Sequence, residues 1–196
     1  MKKLIAALQC LPGIGPKSAQ RMAFHLLEKN NKNKGLILSE SLQQALANVS
    51  YCQSCRLYTE QLLCDICTNT RRNARLLCVV ETPADVVALE QTQSYNGKYF
   101  VLQGRLSPLD GIGPQHIGIP LLLEKLQQDC VEELILATNS TMEGKATSHY
   151  IMVQAAKYKI KCSRIAQGVP IGGELEYLDG NTLAHALRSR EILTTE

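Results

Sequence analysis

Cys52-Gln-Ser-Cys55 and Cys64-Asp-Ile-Cys67, separated by Arg56 to Leu63, decide how this chain is built. Each pair sets two thiolates on one tight turn, and the short spacer brings the turns face to face. Cysteines so spaced give the tetrahedral arrangement that a structural Zn²⁺ requires, with Zn–S bonds near ~2.3 Å. A pair of disulfides or two separate redox motifs are the other readings of the spacing. Without an exporting context, zinc is the expectation. Four protein ligands (Cys52, Cys55, Cys64 and Cys67) leave no open position, so the ion should hold the fold together and do no chemistry.

The knuckle also divides the charge. Residues 1–34 carry seven Lys/Arg against one acid, Glu28, a net of +6; residues 35–74 are neutral; residues 75–196 sum to −3. A basic head on a mildly acidic body points to a polyanion partner at the N-terminus. The 196 residues suffice for one large core or for two smaller ones with a joint between them. Aromatic residues are 5% and Trp is absent, which argues against a base-stacking surface. No run approaches the ~18 apolar residues of a membrane helix. Met1-Lys-Lys-Leu-Ile-Ala-Ala-Leu imitates a signal peptide, but its apolar run is very short and Gln9 sits where a small residue should precede a lipoprotein-type Cys10. With further cysteines at 10, 78, 130 and 162, a reducing cytoplasm is the expected compartment.

Lys2 to Cys10 reads as a short helix with Leu4, Ile5 and Leu8 on one face. Leu11-Pro12-Gly13-Ile14-Gly15-Pro16 ends it, and a second helix runs from Pro16 to about Glu28, with Pro16 suited to the first helical position. Gly13 and Gly15 permit unusual dihedrals and put no side chain between backbone and ligand. Exposed N–H groups, a helix N-terminus, Lys17 and Arg21 would form a phosphate cradle. The i,i+4 spacing sets both cations on one face, a repulsion more readily tolerated where an anion sits between them. Leu11, Ile14, Ala19, Met22 and Ala23 are the expected small core. The run LPGIGPKSAQRMA resembles the helix-hairpin-helix motif, which grips the nucleic-acid backbone without reading sequence. Asn30 to Gly35 reads as a polar linker, and Ser39 as the cap of a third helix with Leu42, Ala45, Leu46 and Val49 buried.

Beyond Arg71-Arg72, strands are expected at Leu76–Val80, Lys98–Leu102 and Glu132–Ala137. Helices are expected from Thr82-Pro83 to Glu90, with Ala84, Val87 and Ala88 inward, and from Met142 to Lys159. Such alternation gives a parallel α/β sheet, with Glu81 and Asn139 at strand carboxyl ends. A strand ending in Glu81 and a later one leading into Asn139-Ser-Thr-Met-Glu143-Gly resemble a Toprim domain. Catalytic Toprim domains hold Mg²⁺ on an Asp-x-Asp pair, and the two positions here are Asn139 and Thr141. Neutral side chains compete poorly for the hydration shell of Mg²⁺, so strand cleavage loses its main support. The loop Gly104–Pro114, with Arg105 and Asp110, lacks a phosphate-loop ending and reads as facing a partner or subunit. Gly168–Asp179 resembles a Walker B strand without any Walker A upstream, so ATP hydrolysis is not expected. His25, His116, His149 and His185 are widely separated and suggest no catalytic dyad.

Together with VVETPADVVALEQT, LSPLDGIGP, ATNSTMEGKAT and GVPIGGELEYLDG, this order of motifs resembles the bacterial RecR recombination mediators over essentially the whole chain. The expected architecture is multi-part α+β. A helix-hairpin-helix DNA-binding region spans 1–50, a four-cysteine zinc finger 51–68, a Toprim domain 75–166 and a Walker-B-like tail with a helix 167–196. The resemblance implies a cytoplasmic, nucleoid-associated, non-enzymatic DNA repair protein. It would act with RecO and RecF to load RecA onto single-stranded DNA at gaps, as a ring-shaped tetramer assembled through its N- and C-terminal regions. Gly13, Gly15, Lys17 and Arg21 would then meet the DNA backbone, and Glu81 and Glu143 would form a partner-docking surface. Two alternatives remain: a Mg²⁺-dependent Toprim nicking enzyme using Glu81, and a protein-interaction hub whose basic head contacts an acidic protein.

Overall fold

Two helices and a Pro-Gly turn open the chain in the computed structural model, which describes residues 1–166 and 168–189. The chain divides into two units, Met1–Ser50 and Tyr51–Glu196. In the first, α1 (Lys2–Leu8) and α2 (Pro16–Leu27) pack as a hairpin, followed by α3 (Lys32–Asn48). Between α1 and α2, Ile14 N–H donates to the Leu11 carbonyl at 3.2 Å. With Pro12 second in that turn and Gly13 third at φ +76°, this is the pattern of a type II turn. Gly15 sits at φ −82°, which any residue adopts, so only Gly13 is there for its backbone freedom. Ala19 and Ala23 are fully buried and let the helices approach closely, while Leu4, Ile5, Leu8 and Ile14 are half-buried. Leu11 and Met22, expected in this core, are exposed instead.

The third helix differs from its sequence reading in both extent and burial. It starts at Lys32 rather than near Ser39, because Asn31 closes the preceding turn by donating from Nδ2 to Glu28 Oε2 at 2.9 Å. The expected linker 30–35 is thus mostly helical. Its expected stripe, Leu42, Ala45, Leu46 and Val49, is exposed throughout, since no element among the described residues covers it.

The second unit begins with a two-stranded ribbon, β1 (Ser50–Tyr51) and β2 (Tyr58–Thr59), and a single helical turn, α4 (Asp65–Thr68). Then come β3 (Asn73–Val80), α5 (Pro83–Gln91), β4 (Gly97–Val101), α6 (Ile119–Gln128), β5 (Glu133–Ala137), α7 (Met142–Ala155) and β6 (Lys161–Arg164). The four long strands form one parallel sheet in the order β4-β3-β5-β6, with Val80 opposite Val101 and Ala137. Residues alternate between faces along each strand. Leu77, Val79, Phe100, Leu134 and Leu136 face α6 and α7, which supply Ile119, Leu122, Leu126, Ile151 and Ala155. Cys78, Val80, Tyr99 and Val101 face α5, which supplies Val86. Each such side chain, fully buried, contributes about 1.5–3 kcal/mol.

Three sequence readings need correction here. The inward face of α5 is Val86 with Leu89, on the opposite side of the helix from the expected stripe, and Ala84, Val87 and Ala88 are exposed. Asp85 fixes that rotation through a capping box: Thr82 N–H donates to its carboxylate at 2.8 Å while its own N–H donates to Thr82 Oγ1. Helix α6 was not anticipated, although Pro120 near its start and Leu122, Leu123 and Leu126 at helical spacing mark it. Residues 168–179 form no strand among the described residues. Leu175–Tyr177 is one 3₁₀ turn, and Asp179 caps α8 (Gly180–Arg188) by accepting from the N–H groups of Asn181 and Thr182 at 3.0 Å each. Pro170 and the adjacent Gly172-Gly173 explain the failure of a ladder there. Gln167 and residues 190–196 of the expected tail lie outside the described residues.

Candidate metal centre and nucleic-acid interface

Cys52, Cys55, Cys64 and Cys67 converge with all four sulfurs within 4.8 Å of one another, and the first three are buried. No pair is at disulfide length: Cys55 Sγ and Cys64 Sγ lie 3.4 Å apart. A tetrahedron of sulfurs around Zn²⁺ has edges of about 3.8 Å, so the donor set and its spread fit that ion. Backbone geometry builds each half. Arg56 N–H donates to the Cys52 carbonyl at 2.9 Å, and Arg56 takes φ +64° to turn the chain away after the second cysteine. Cys67 N–H donates to the Cys64 carbonyl at 2.9 Å, and Cys64 N–H donates to Cys52 Sγ at 3.4 Å, a bond that favours thiolate. Hydrogen bonding from Cys55 pulls the Cys67 thiol down to about 5, and the same contact, then burial, pushes Cys55 up. Tyr51 and Tyr58 stack over the ribbon, ring centroids 5.3 Å apart.

The knuckle is bolted to the sheet by polar side chains that sequence reading did not single out. Arg56 Nη1 donates to the carbonyls of Leu102 at 3.0 Å and Ile117 at 2.7 Å, and its guanidinium lies 5.7 Å from the Phe100 ring centroid. Burial lowers the Arg56 pKa, though its ordinary value is so high that the charge persists. Room for the guanidinium exists because residue 118 is glycine: a Cβ there would lie 1.9 Å from Nη1, and φ is +75°. Lys98 Nζ donates to the carbonyls of Ile66, Cys67 and Asn69 at 2.8–3.0 Å, and Val101 N–H to Cys55 O at 2.9 Å. Nothing in the spacing around Arg56 or Lys98 marks these roles, because both act through distant backbone carbonyls.

In the first unit, Gly13, Gly15, Lys17 and Arg21 all lie exposed at the hairpin turn and on the first two turns of α2. A Cβ at Gly13 or Gly15 would meet nothing within 4 Å, so the backbone there is open to a ligand. The Lys17 and Arg21 side chains have no acid partner among the described residues, which leaves two cations beside the N-terminus of a twelve-residue helix.

At the carboxyl end of the sheet, Glu81 is 2% exposed and both its oxygens go to one residue. Oε1 accepts from the Asn139 backbone N–H at 2.8 Å and Oε2 from Asn139 Nδ2 at 2.7 Å. So placed, Glu81 does not suit direct contact with a partner, contrary to its sequence reading. Glu143, half-buried in the first turn of α7, remains accessible. The Gly104–Pro114 loop spends Asp110 on its own turn, where Oδ2 accepts from Ser107 Oγ at 2.6 Å, and leaves Arg105 and Leu109 exposed. Among the histidines, His185 meets Ser189 at 3.4 Å on α8, one helical turn away and with no third group among the described residues to form a triad. No helix among the described residues is long and apolar enough to cross a membrane.

Comparison with known proteins accords with this geometry. Residues 1–46 match the family model for the RecR helix-hairpin-helix, residues 75–166 the Toprim domain, and residues 168–191 the RecR C-terminal region. The chain is 68% identical to recombination protein RecR of Coxiella burnetii (strain RSA 493 / Nine Mile phase I) over 189 residues, 96% of this chain and 94% of that protein. It is 57% identical to recombination protein RecR of Saccharophagus degradans (strain 2-40 / ATCC 43961 / DSM 17024), covering 96% and 95%. With these three matches in order along the chain and relatives that span nearly all of it, the chain belongs to the RecR family of recombination proteins.

Proposed function

We propose that this chain is a non-enzymatic mediator of DNA repair that binds gapped duplex and single-strand–double-strand junctions and acts with RecO and RecF to load RecA. The observation that carries the reading is the open Gly13–Gly15 turn with Lys17 and Arg21 unpaired beside it, a surface suited to phosphate and indifferent to base identity. Against an enzyme stands the sheet end, where Asn139 and Thr141 replace the carboxylates a Mg²⁺ site needs and Glu81 is fully engaged. Zn²⁺ held by Cys52, Cys55, Cys64 and Cys67 is structural, and the compartment is the cytoplasm. Glu143 is the acid we assign to docking of a partner protein, with RecO as the probe, and the exposed Gly104–Pro114 loop suits a second partner face.

Assembly into a ring-shaped homotetramer through the N- and C-terminal regions is part of the proposal. In its support, Leu36, Ile37, Leu42 and Leu46 on α3, and Ile171, Leu175 and Tyr177 in the tail, are exposed apolar side chains of the kind a second copy would cover. Each chain offers few phosphate contacts, so avidity in the ring must supply affinity.

The test is binding to a fluorescent gapped duplex at two salt concentrations, wild type against Lys17→Ala/Arg21→Ala. Wild type should bind and weaken steeply with salt, and the double variant should lose about tenfold or more at low salt. Wild type that ignores DNA in every condition while still binding RecO would sink the clamp and leave a protein-interaction hub.

A further inference from the structure

Glu81 is a buried carboxylate with no metal-binding partner set and no exposure to a macromolecule, yet it has unusually specific company. Its two oxygens take the backbone N–H and the side-chain amide of Asn139, at 2.8 and 2.7 Å. The segment that follows closes on itself. Thr138 Oγ1 donates to the Gly144 carbonyl at 2.9 Å and meets Ser148 Oγ at 2.6 Å, and Gly144 N–H donates to Thr141 Oγ1 at 3.1 Å. Gly144 is pressed into this closure: a Cβ there would lie 2.1 Å from the Asn139 carbonyl oxygen and 2.8 Å from Glu81 Oε1. Glu143 is held from the other side, since Thr147 Oγ1 donates to its carbonyl at 2.7 Å and accepts from Leu106 N–H at 2.9 Å.

We infer that Glu81 is a positioning residue, which acts through Asn139 to fix the turn 138–144 and so the direction in which Glu143 meets a partner protein. The inference rests on the docking role proposed for Glu143. The Glu81 carboxylate takes the place of a loop anchor because Asn139 is an amide: it donates where an aspartate would repel. A hydrogen bond to a charged acceptor in a buried site is strong and directional, and losing one partner leaves the other unsatisfied.

That chemistry specifies a swap test in the full-length protein, with EDTA present so that no divalent ion bridges paired carboxylates. Asn139→Asp sets a second carboxylate against Glu81 and should weaken RecO binding about tenfold while speeding hydrogen exchange at residues 139–144. Glu81→Gln should stay near wild type, because its amide oxygen still accepts the backbone N–H and its NH₂ can donate to a flipped Asn139 carbonyl. Glu81→Gln/Asn139→Asp restores a complementary pair, so both binding and exchange protection should return. Thermal melts on every variant separate positioning from loss of fold. Wild-type RecO binding by Asn139→Asp, with Glu143→Gln impaired, would overturn the inference and leave the docking role intact. A double variant that melts like wild type yet binds as weakly as Asn139→Asp would overturn it too. Wild-type binding by Glu143→Gln would overturn both.

Discussion

The knuckle and the carboxyl end of the sheet both gather ligand-type side chains at one point, and they treat them in opposite ways. At the knuckle, four sulfurs crowd within 4.8 Å, joined by weak sulfur contacts to one another and to backbone N–H groups such as that of Cys64. At the sheet end, Glu81, the one buried carboxylate among the described residues, has each oxygen bonded to Asn139. Four like donors without strong partners call for an ion, because burying thiols this way otherwise stabilises little. A lone carboxylate that is buried and already held by an amide offers little to a cation that must shed water to reach it. The same internal satisfaction recurs across the second unit, at Arg56 with two carbonyls and at Glu90 with Arg72 and Tyr99. Ion-held and self-satisfied regions should therefore fail under different insults.

The largest effect is expected from stripping the metal. Protein as purified should hold about one Zn per chain, and a strong chelator or Cys64→Ser should cost several kcal/mol, since binding to a structural site is folding free energy. For a chain of this size that is a fall in Tm of ~10 °C or more. Millimolar Mg²⁺ should leave the melt unchanged. Insensitivity to chelation combined with stabilisation by Mg²⁺ would reverse the comparison.

A smaller loss should follow from disturbing the self-satisfied contact that joins knuckle to sheet. Gly118→Ala drives a methyl into the Arg56 guanidinium and strains a left-handed backbone, leaving the Leu102 and Ile117 carbonyls without their donor. Urea melts should show about 2–4 kcal/mol. Arg56→Ala should cost a comparable amount, and the double variant less than the sum, because both remove one interaction. Zinc content should stay at wild-type level in all three. Additive losses would mean that Gly118 serves something other than room for Arg56.

Sequence reading reached the four-cysteine cluster and the hairpin because local spacing alone specifies them: CxxC turns, and a Pro-Gly turn between two short helices. It also reached the parallel sheet, whose buried strands are short apolar runs. It put α5's inward face on the wrong side of the helix, since PADVVALEQ is apolar on nearly every side and only the Thr82–Asp85 cap settles the rotation. Helix α3 shows the opposite failure, in which a stripe at helical spacing predicts burial but finds no cover among the described residues. The tail strand was suggested by apolar residues before Asp179, whose real partners are two backbone N–H groups just ahead. Arg56, Gly118 and the Glu81–Asn139 pair stayed invisible as contacts because their meaning lies in tertiary geometry. Only the types at 81 and 139, an acid and an amide at two strand ends, hinted that the sheet end was built without a second carboxylate.

The smallest effect concerns Glu90, and it separates the two regions by pH as well as by mutation. Burial works against its carboxylate, but hydrogen bonding and charge from Arg72, with the Tyr99 hydroxyl at 2.7 Å, outweigh that and hold its pKa below the usual range. A depressed carboxylate stabilises the fold fully above its unfolded pKa, about 4.3, and loses that contribution as pH falls through the folded value. Arg72→Ala should therefore cost about 1.5–3 kcal/mol at pH 7, and the gap from wild type should narrow in melts taken below pH 4. Tyr99→Phe should cost less, as it removes one of the carboxylate's donors and leaves the ion pair. With Zn²⁺ bound as proposed, the knuckle should also weaken in acid, as protons displace metal from thiolates, but that loss should follow free zinc concentration and added Zn²⁺ should oppose it. Added Zn²⁺ should do nothing for the Arg72→Ala deficit at pH 7. If it did, the Glu90 cluster and the metal site would be one cooperative unit, and the division between ion-held and self-satisfied regions would have to be redrawn.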